Sequence, residues 1–178
     1  MLEPDIMNSE VIIRKMNQDD LLTVIQIENR SFSDPWTYES FLNEITNSLS
    51  HYIIIELNDE IIGYAGSWIY LDEIHITNIS VETSKRNLGF GKILLSALLN
   101  EAAGRNVLKA FLEVRKSNTN AIKLYERFGF IRIFERKKYY KNNEDAVVML
   151  LSPVISDMVI SMIDHTIHKS GKYNIKLY

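Results

Sequence analysis

The chain has 178 residues, a length that suits one domain with a hydrophobic core and is short for two. Its formal net charge is −3 with basic and acidic residues interspersed, which argues against nucleic-acid binding, and the absence of cysteine excludes disulfides, cysteine nucleophiles and thiolate metal sites. No apolar run reaches the ~18 residues of a membrane span, and the N-terminus lacks the basic-then-apolar order of a signal peptide. We therefore expect a cytoplasmic protein that binds neither nucleic acid nor membrane.

The first half of the chain predicts elements in the order β, α, α, β, β, β. Asn17 followed by Asp20 is typical of a helix start, and this helix should end before Pro35, because proline disfavours helical geometry in the residue before it. Thr37 is expected to cap the second helix, and Asn58-Asp59 to form a hairpin turn. The predicted strands cover residues 11–14, 51–56, 61–70 and 74–81, and the second helix covers 38–46.

In the second half, apolar residues recur at helical spacing over 90–103, and Gly129 is a natural residue to follow a helix over 120–128. Strands are predicted over residues 107–114, 130–134 and 146–151. Strands that alternate with helices imply parallel pairing in the middle of the sheet, with antiparallel hairpins on either side. The predicted fold class is therefore α/β (α+β), with a mixed central sheet of about six to seven strands and flanking helices.

The tail after Pro153 carries apolar residues at helical spacing, and these are Ile155, Met158, Val159, Met162 and Ile163. We expect one domain over residues 1–152 and an amphipathic extension over 153–178. The extension is expected to pack on the domain itself or on a partner, either a second copy or an auxiliary subunit. His165 and His168 share a face of the predicted helix, but no third ligand is evident, so no metal site is predicted.

The segment that follows the strand over 74–81 and opens the next helix has the spacing Arg86-x-x-Gly89-x-Gly91. Alternate glycines let the backbone bend sharply, and the N-terminus of a helix favours negative charge, so the segment suits a pyrophosphate. A dinucleotide-binding turn would need a third glycine where Leu94 stands. A P-loop would need glycine in place of Arg86 and Ser or Thr in place of Ile93. A glycine turn that only starts a helix is the remaining alternative. The pattern itself resembles the coenzyme A loop of GNAT-superfamily acetyltransferases.

A second segment strengthens this resemblance. A strand ends in Val114-x-x-x-Asn118, and the next helix carries Ala121-x-x-Leu124-Tyr125-x-x-x-Gly129-Phe130. Both segments resemble GNAT hallmarks in order and spacing, over residues 11–151. Three further segments resemble one branch of the superfamily, namely Glu113-Val114-Arg115-x-Ser117-Asn118, the loop Asp34-Pro35-Trp36, and Tyr139-Tyr140 followed by Glu144-Asp145-Ala146. Through them the chain is most similar to RimI-like ribosomal-protein N-acetyltransferases and archaeal N-terminal acetyltransferases. The resemblance implies an acetyl-CoA-dependent N-acyltransferase whose two central parallel strands splay apart.

The resemblance also implies which residues hold acetyl-CoA. The backbone at the splay should hold the pantetheine arm, the glycine turn should hold the pyrophosphate, and Asn118 should hydrogen-bond the donor. These residues are Ile79, Ser80, Val81, Arg86, Asn87, Leu88, Gly89, Phe90, Gly91, Lys92 and Asn118. Asn87 and Leu88 stand where many relatives have another basic residue, so less positive charge faces the pyrophosphate. Asn118 is also a natural helix N-cap, a role compatible with ligand binding.

Glu113 is the predicted general base, acting through water, and Tyr125 the predicted general acid. Glu113 alternates with Leu112 and Val114 and so faces away from them, and RimI-like enzymes have their base at this position. A phenol can give a proton to the leaving thiolate. The alternatives are a solvated or ion-paired Glu113 and a Tyr125 that only packs.

By the same resemblance, two walls should border the entrance for the acceptor, and they consist of Asp34, Pro35, Trp36 and Tyr139. Trp36 could instead anchor the two N-terminal helices.

The expected acceptor is the N-terminal amine of a protein or peptide, because its pKa of about 8 makes it easier to deprotonate than a lysine at about 10.4. Two alternatives stay open, namely acetylation of lysine or a small amine such as a polyamine, and a non-catalytic acetyl-CoA sensor.

Overall fold

The computed structural model describes residues 9–154 and 173–177. The helices are α1 (Leu21–Ser31), α2 (Tyr38–Thr46), α3 (Phe90–Gly104) and α4 (Thr119–Arg127). The strands are β1 (Ser9–Lys15), β2 (Ser50–Leu57), β3 (Glu60–Tyr70), β4 (Glu73–Val81), β5 (Lys109–Arg115), β6 (Ile131–Arg136), β7 (Ala146–Leu151) and β8 (Tyr173–Leu177). The eight strands of the described residues form one mixed sheet in the order β6-β7-β5-β4-β3-β2-β1-β8.

The predicted α/β fold is confirmed, with seven of the strands where the sequence indicates them. The eighth strand, β8, was not predicted: it pairs parallel with β1, from Ser9↔Tyr173 to Ile13↔Leu177. It belongs to the segment expected as a C-terminal extension. The apolar stripe over 155–163 and the pair His165 and His168 lie outside the described residues. None of the described helices is both long enough and apolar enough to cross a membrane.

Local signals in the sequence account for the element ends. The Asn17 side chain accepts a hydrogen bond from the Asp19 N–H and caps a short 3-10 turn that leads into α1. The Thr37 hydroxyl accepts one from the Ser40 N–H and caps α2. Asn58 and Asp59 both have positive φ, 50° and 64°, the geometry of a two-residue hairpin turn between β2 and β3.

The sheet buries apolar side chains on both faces. One face packs against α3 and α4, and Ile76 and Leu112 belong to that cluster. The other packs against α1 and α2 and contains Tyr52, Phe41 and Tyr64. Burial of one large apolar side chain stabilises a fold by about 1.5–3 kcal/mol, so helices on both faces hold the central strands firmly. The sheet is therefore a rigid support for residues at its edges and ends.

The parallel strands β4 and β5 pair over only part of their length. Their ladder runs from Glu73↔Lys109 to Ile76↔Leu112, although β4 continues to Val81. A bulge in β4 follows at once, because Gly66 of β3 opposes Asn78 while Ser67 opposes Ile76, which leaves Thr77 as the extra residue. The predicted splay between the central parallel strands is confirmed, and it opens a gap between the ends of β4 and β5.

Candidate active site

The glycine turn leads from β4 into α3, and its two glycines differ in what they do. Gly89 caps α3 with φ of 101°, in the left-handed region that favours glycine. Gly91 lies inside the first turn of the helix, and a Cβ there would meet only Leu124 Cδ2 at 3.8 Å. Packing therefore does not require glycine at position 91, although glycine in a helix costs about 0.5–1 kcal/mol relative to alanine. The turn leaves room for a ligand to approach the backbone.

Arg86 connects this turn to neighbouring elements. Its Nε donates to the Val81 carbonyl at 2.9 Å, and its Nη2 donates to Ser31 Oγ at 2.9 Å. The Ser80 hydroxyl donates to the same Ser31 oxygen at 2.7 Å. Arg86 thus brings a positive charge to the junction of α1, β4 and the turn. Its predicted contact with a pyrophosphate, and those of Asn87, Leu88, Phe90 and Lys92, stay predictions.

Ile79, Ser80 and Val81 lie beyond the bulge on β4. On one side they pair with Ala65, Tyr64 and Gly63 of β3 in a close approach, since a Cβ on Gly63 would be 2.7 Å from the Ser80 carbonyl oxygen. On the other side the described ladder with β5 has already ended at Ile76. The backbone edge of this segment therefore faces the gap, where an extended ligand arm could bind.

Glu113 is the first residue of β5 beyond the ladder with β4. Its neighbours Leu112 and Val114 are buried against the α3–α4 face, so its side chain points to the face of α1 and α2. The side chain is 27% exposed, and its Oε1 lies 3.4 Å from Arg136 Nη2. The carboxylate is therefore accessible at the start of the gap and makes one long ion pair.

Tyr125 lies on α4, buried against Phe130 with 5.9 Å between ring centroids. Burial is the main cause that raises the pKa of Tyr125 above its usual value, and nearby Tyr140 raises it further. Within the described part of the chain the hydroxyl has no hydrogen-bond partner. It therefore stays protonated at neutral pH and keeps its proton available for a ligand.

Asn118 lies on the exposed end of α4, seven positions before Tyr125 in the sequence and so on the same helical face. Its side-chain oxygen accepts the Ala121 N–H at 3.2 Å, which confirms it as the N-cap of α4. The cap uses the oxygen, and the amide nitrogen is left to donate. Ligand binding by Asn118 stays a prediction.

The loop between α1 and α2 and the loop between β6 and β7 meet across the end of the sheet. Lys141 Nζ lies 2.5 Å from Asp34 Oδ1, and Arg115 Nη2 donates to Ser33 Oγ at 3.4 Å. Pro35 is half-buried beside this contact. Tyr139 is 47% exposed, with the Arg136 guanidinium 5.4 Å above its ring. The structure thus brings together the two predicted walls.

Trp36 turns toward the core. Its ring packs 5.5 Å from that of Phe41 and 6.4 Å from that of Tyr52, and its main-chain N–H donates to Glu28 Oε1 at 3.0 Å. This is the anchoring arrangement that the sequence left open as an alternative. The ring is half-buried, so contact with an acceptor stays a prediction.

Sequence reasoning missed a second group of residues near Glu113. The Arg115 guanidinium lies 3.8 Å over the Tyr140 ring and donates to Glu144 Oε2 at 2.9 Å. Glu144 also accepts the N–H and hydroxyl of Ser117, and these bonds lower its pKa to about 2. Burial raises the pKa of Tyr140 to about 12, and Glu113 is among the charges that act on it. In the sequence, Arg115, Tyr139-Tyr140 and Glu144 were signals only through the resemblance to RimI-like enzymes, and they did not indicate which tyrosine is half-buried.

The described residues contain no cluster of three His, Asp or Glu side chains that could hold a metal ion. A glycine turn at a helix N-terminus, beside two parallel strands that separate, is the arrangement that the resemblance to coenzyme A-dependent N-acyltransferases implies. A sequence model of the acetyltransferase (GNAT) family matches residues 21–130, and the chain belongs to that family.

Several known proteins are similar over most of their length. The ribosomal protein bS18-alanine N-acetyltransferase of Salmonella typhimurium is 35% identical over 141 residues, covering 76% of this chain and 93% of its own. The crystal structure of the corresponding enzyme from Escherichia coli matches with a TM-score of 0.76 and 32% identity, covering 82% of this chain and 94% of its own. The crystal structure of Ard1 from Thermoplasma volcanium matches with a TM-score of 0.74 and 25% identity, covering 80% and 97%.

Enzymes of this family use acetyl-CoA as acetyl donor, and the site fits that molecule. The space at Gly91 and the edge of β4 beyond the bulge offer backbone groups to a ligand, and the Tyr125 hydroxyl has no hydrogen-bond partner among the described residues. The protein is therefore an acetyltransferase dependent on acetyl-CoA.

Proposed function

We propose that this enzyme acetylates the N-terminal α-amine of a protein by direct attack of that amine on the donor. The relatives from Salmonella typhimurium and Escherichia coli are named as alanine N-acetyltransferases of ribosomal protein bS18, so an N-terminal alanine is the first acceptor to test. The observation that carries the proposal is the position of Glu113, accessible at the start of the gap on the face bounded by the two acceptor loops. A protein acceptor of this kind implies action in the cytoplasm.

Glu113 is the proposed general base. The attacking amine must be neutral, and an N-terminal amine has a pKa of about 8, so it needs little help at neutral pH. A carboxylate that acts through one water can take this proton as the bond forms. The nearest cation to Glu113 is Arg136 at 3.4 Å, a distance that leaves the carboxylate oxygens free to accept a hydrogen bond from water.

Tyr125 is the proposed general acid. Acetyl-CoA supplies the activated thioester, and the chain must protonate the sulfur that leaves. The Tyr125 hydroxyl is protonated at neutral pH because burial raises its pKa, and no described residue accepts its proton. A phenol held in this state can donate to a developing thiolate.

The acceptor is proposed to enter between the loop of Asp34, Pro35 and Trp36 and the loop of Tyr139. The Asp34–Lys141 ion pair holds the two loops together, and an extended peptide N-terminus fits an entrance bordered by loops at the end of a sheet. A side chain of lysine would need a stronger base, because its pKa of about 10.4 lies further from neutral.

The test is acetyl-CoA turnover, measured as thiol release, on peptides that differ at their first two residues. Each peptide carries an internal lysine and is offered with a free and with a blocked N-terminus. We expect activity only on peptides with a free N-terminus, and the highest activity on those that begin with alanine. Activity that survives the block would move the assignment to lysine, and preference for spermidine would move it to a small amine. Binding of acetyl-CoA without turnover of any acceptor would indicate a sensor.

A further inference from the structure

Glu28 of α1 is a buried carboxylate that the proposed mechanism does not use. The residue is 1% exposed, and within the described residues it forms no ion pair. Its Oε1 accepts the Trp36 N–H at 3.0 Å, and its Oε2 accepts the Tyr64 hydroxyl in a very short bond. A carboxylate buried without a cation is costly, so these two bonds need a reason beyond packing.

The contacts of Tyr64 and Tyr52 extend this network to the bulge of β4. The Tyr64 hydroxyl also interacts with the Asn78 side chain. The Tyr52 hydroxyl lies 2.8 Å from Thr77 Oγ1 and donates to Asn78 Oδ1 at 3.4 Å. Thr77 is the extra residue of the bulge, directly after the last pair of β4 with β5. One buried polar network therefore joins the loop after α1 to the point where the two strands separate.

The other end of the network holds the backbone of the acceptor loop. Trp36 follows Asp34 and Pro35, and Asp34 makes the ion pair that joins this loop to Lys141. The bond from Glu28 is to a main-chain N–H, so it fixes the path of the loop whatever the side chain at position 36 does. An apolar side chain in place of Glu28 could pack among Phe41 and Val24. It could not accept the hydrogen bond from the Trp36 main-chain N–H.

We propose that Glu28 is a positioning residue, which fixes the loop of residues 32–37 relative to the β4 bulge and so preforms the acceptor site. The acceptor is the protein N-terminus of the proposed function, on which this inference rests. Glu28 contacts neither acceptor nor donor. Its loss should therefore weaken acceptor binding and leave acetyl-CoA binding intact, because the hydrogen bonds described for this network join the acceptor loop to the β4 bulge.

Two substitutions separate the hydrogen bonds of Glu28 from its charge. Glu28→Gln still offers Oε1 to the Trp36 main-chain N–H, but its amide nitrogen can only donate to the Tyr64 hydroxyl, so the proton of that hydroxyl loses its acceptor. Glu28→Asp keeps the charge on a side chain one carbon shorter, which cannot reach both partners. Glu56→Gln is the matched control, since Glu56 of β2 is also a mostly buried carboxylate, held by Arg14 at 2.7 Å and distant from the acceptor loops.

The first measurement is steady-state kinetics of the full chain with a free N-terminal peptide. We expect Glu28→Gln and Glu28→Asp each to raise the KM for the peptide at least about tenfold, because a buried donor is left unsatisfied or a bond is broken. The KM for acetyl-CoA should change less than about twofold. Glu56→Gln should lower Tm and leave both KM values as in the wild type. An unchanged peptide KM in the Glu28 variants would overturn the proposal.

A second measurement needs no turnover and so separates this inference from the proposed function. The chain has two tryptophans, and Trp68→Phe leaves Trp36 as the sole tryptophan, whose emission is excited selectively at wavelengths that tyrosine does not absorb. In that background we expect Glu28→Gln and Tyr64→Phe to shift the Trp36 emission to longer wavelength as the loop loosens, while Glu56→Gln does not. Emission equal in all variants would overturn the positioning role even if the peptides are acetylated. A shift in a protein that acetylates no peptide would support the positioning of the loop and reject the proposed acceptor.

Discussion

Asp34 and Lys141 form an ion pair of 2.5 Å between residues 107 positions apart in the sequence. The two side chains belong to the loop after α1 and the loop before β7, which border the proposed acceptor entrance. Lys141 is 82% exposed, so the pair contributes little to folding stability, in the range of about 0–1 kcal/mol. We expect its main effect to be on the relative position of the two loops that border the entrance.

We expect Asp34→Asn to raise the KM for a peptide acceptor about twofold to fivefold, with kcat and Tm nearly unchanged, because an exposed ion pair is worth at most about 1 kcal/mol. Added salt should raise the wild-type KM toward that of the variant, since salt screens exposed charges. Asp72→Asn is the control, because Asp72 pairs with Lys109 at 3.3 Å at the opposite end of the sheet. A peptide KM that responds equally to both substitutions would contradict the assignment.

Glu113→Gln tests the general base. We expect kcat to fall by about 10²-fold or more, as is typical for loss of a general base, while affinity for acetyl-CoA stays the same. Glu126→Gln is the matched control, since Glu126 also forms an ion pair with an arginine, Arg132, at 2.9 Å on the protein surface. Turnover is measured by thiol release and donor affinity by calorimetry. Equal kcat in wild type and Glu113→Gln would refute the proposed base.

Tyr125→Phe tests the general acid. The hydroxyl is the one polar group of this side chain, and the ring that packs on Phe130 is kept, so the fold should persist. We expect kcat to fall by about 10²-fold with little change in the KM for either substrate. Tyr139→Phe removes an exposed hydroxyl on the acceptor side and should leave kcat within about threefold. A wild-type kcat in Tyr125→Phe would refute the general acid and mean that Tyr125 only packs in the core.

The buried Tyr125 also predicts how stability depends on pH. Burial raises the pKa of Tyr125 in the folded protein, whereas the unfolded chain has the usual value of about 10. The unfolded state therefore loses this proton first, so the contribution to stability is complete below pH ~10 and is lost as pH rises above it. We expect the Tm of wild type to fall as the pH rises above ~10 and that of Tyr125→Phe to fall less. Parallel Tm curves would contradict this.

The sequence predicted the elements and the chemistry-bearing motifs because both depend on local spacing. Thr37 as a cap, the turn at Asn58-Asp59 and the helix after Gly89 follow from backbone preferences of neighbouring residues. The splay of β4 from β5 came from resemblance, not from spacing.

Contacts between distant residues were beyond such reasoning. The bond from Tyr64 to Glu28 joins residues 36 positions apart. In the sequence, Glu28 looks like an ordinary exposed acidic residue of an amphipathic helix, so nothing indicated that it is buried. Trp36 offered two roles until its neighbours Phe41 and Tyr52 were known. β8 was missed because it has only five residues, and a pattern of that length does not indicate a strand when its partner strand is distant in the sequence.

Gly91→Ala separates ligand binding from folding at the glycine turn. A Cβ at position 91 has space in the protein, with Leu124 Cδ2 nearest at 3.8 Å, and alanine is the better helix former. We expect the free energy of unfolding to rise by up to about 1 kcal/mol in the absence of ligand, while the Kd for coenzyme A rises at least tenfold because the methyl group occupies the space of the ligand.

Gly104→Ala is the matched control, since Gly104 ends the same helix with no atom within 4 Å of its Cβ position. It should gain similar stability and keep the wild-type Kd. Calorimetric titration with coenzyme A and denaturant unfolding measure the two quantities, and a wild-type Kd in Gly91→Ala would exclude a close approach of the donor to this turn.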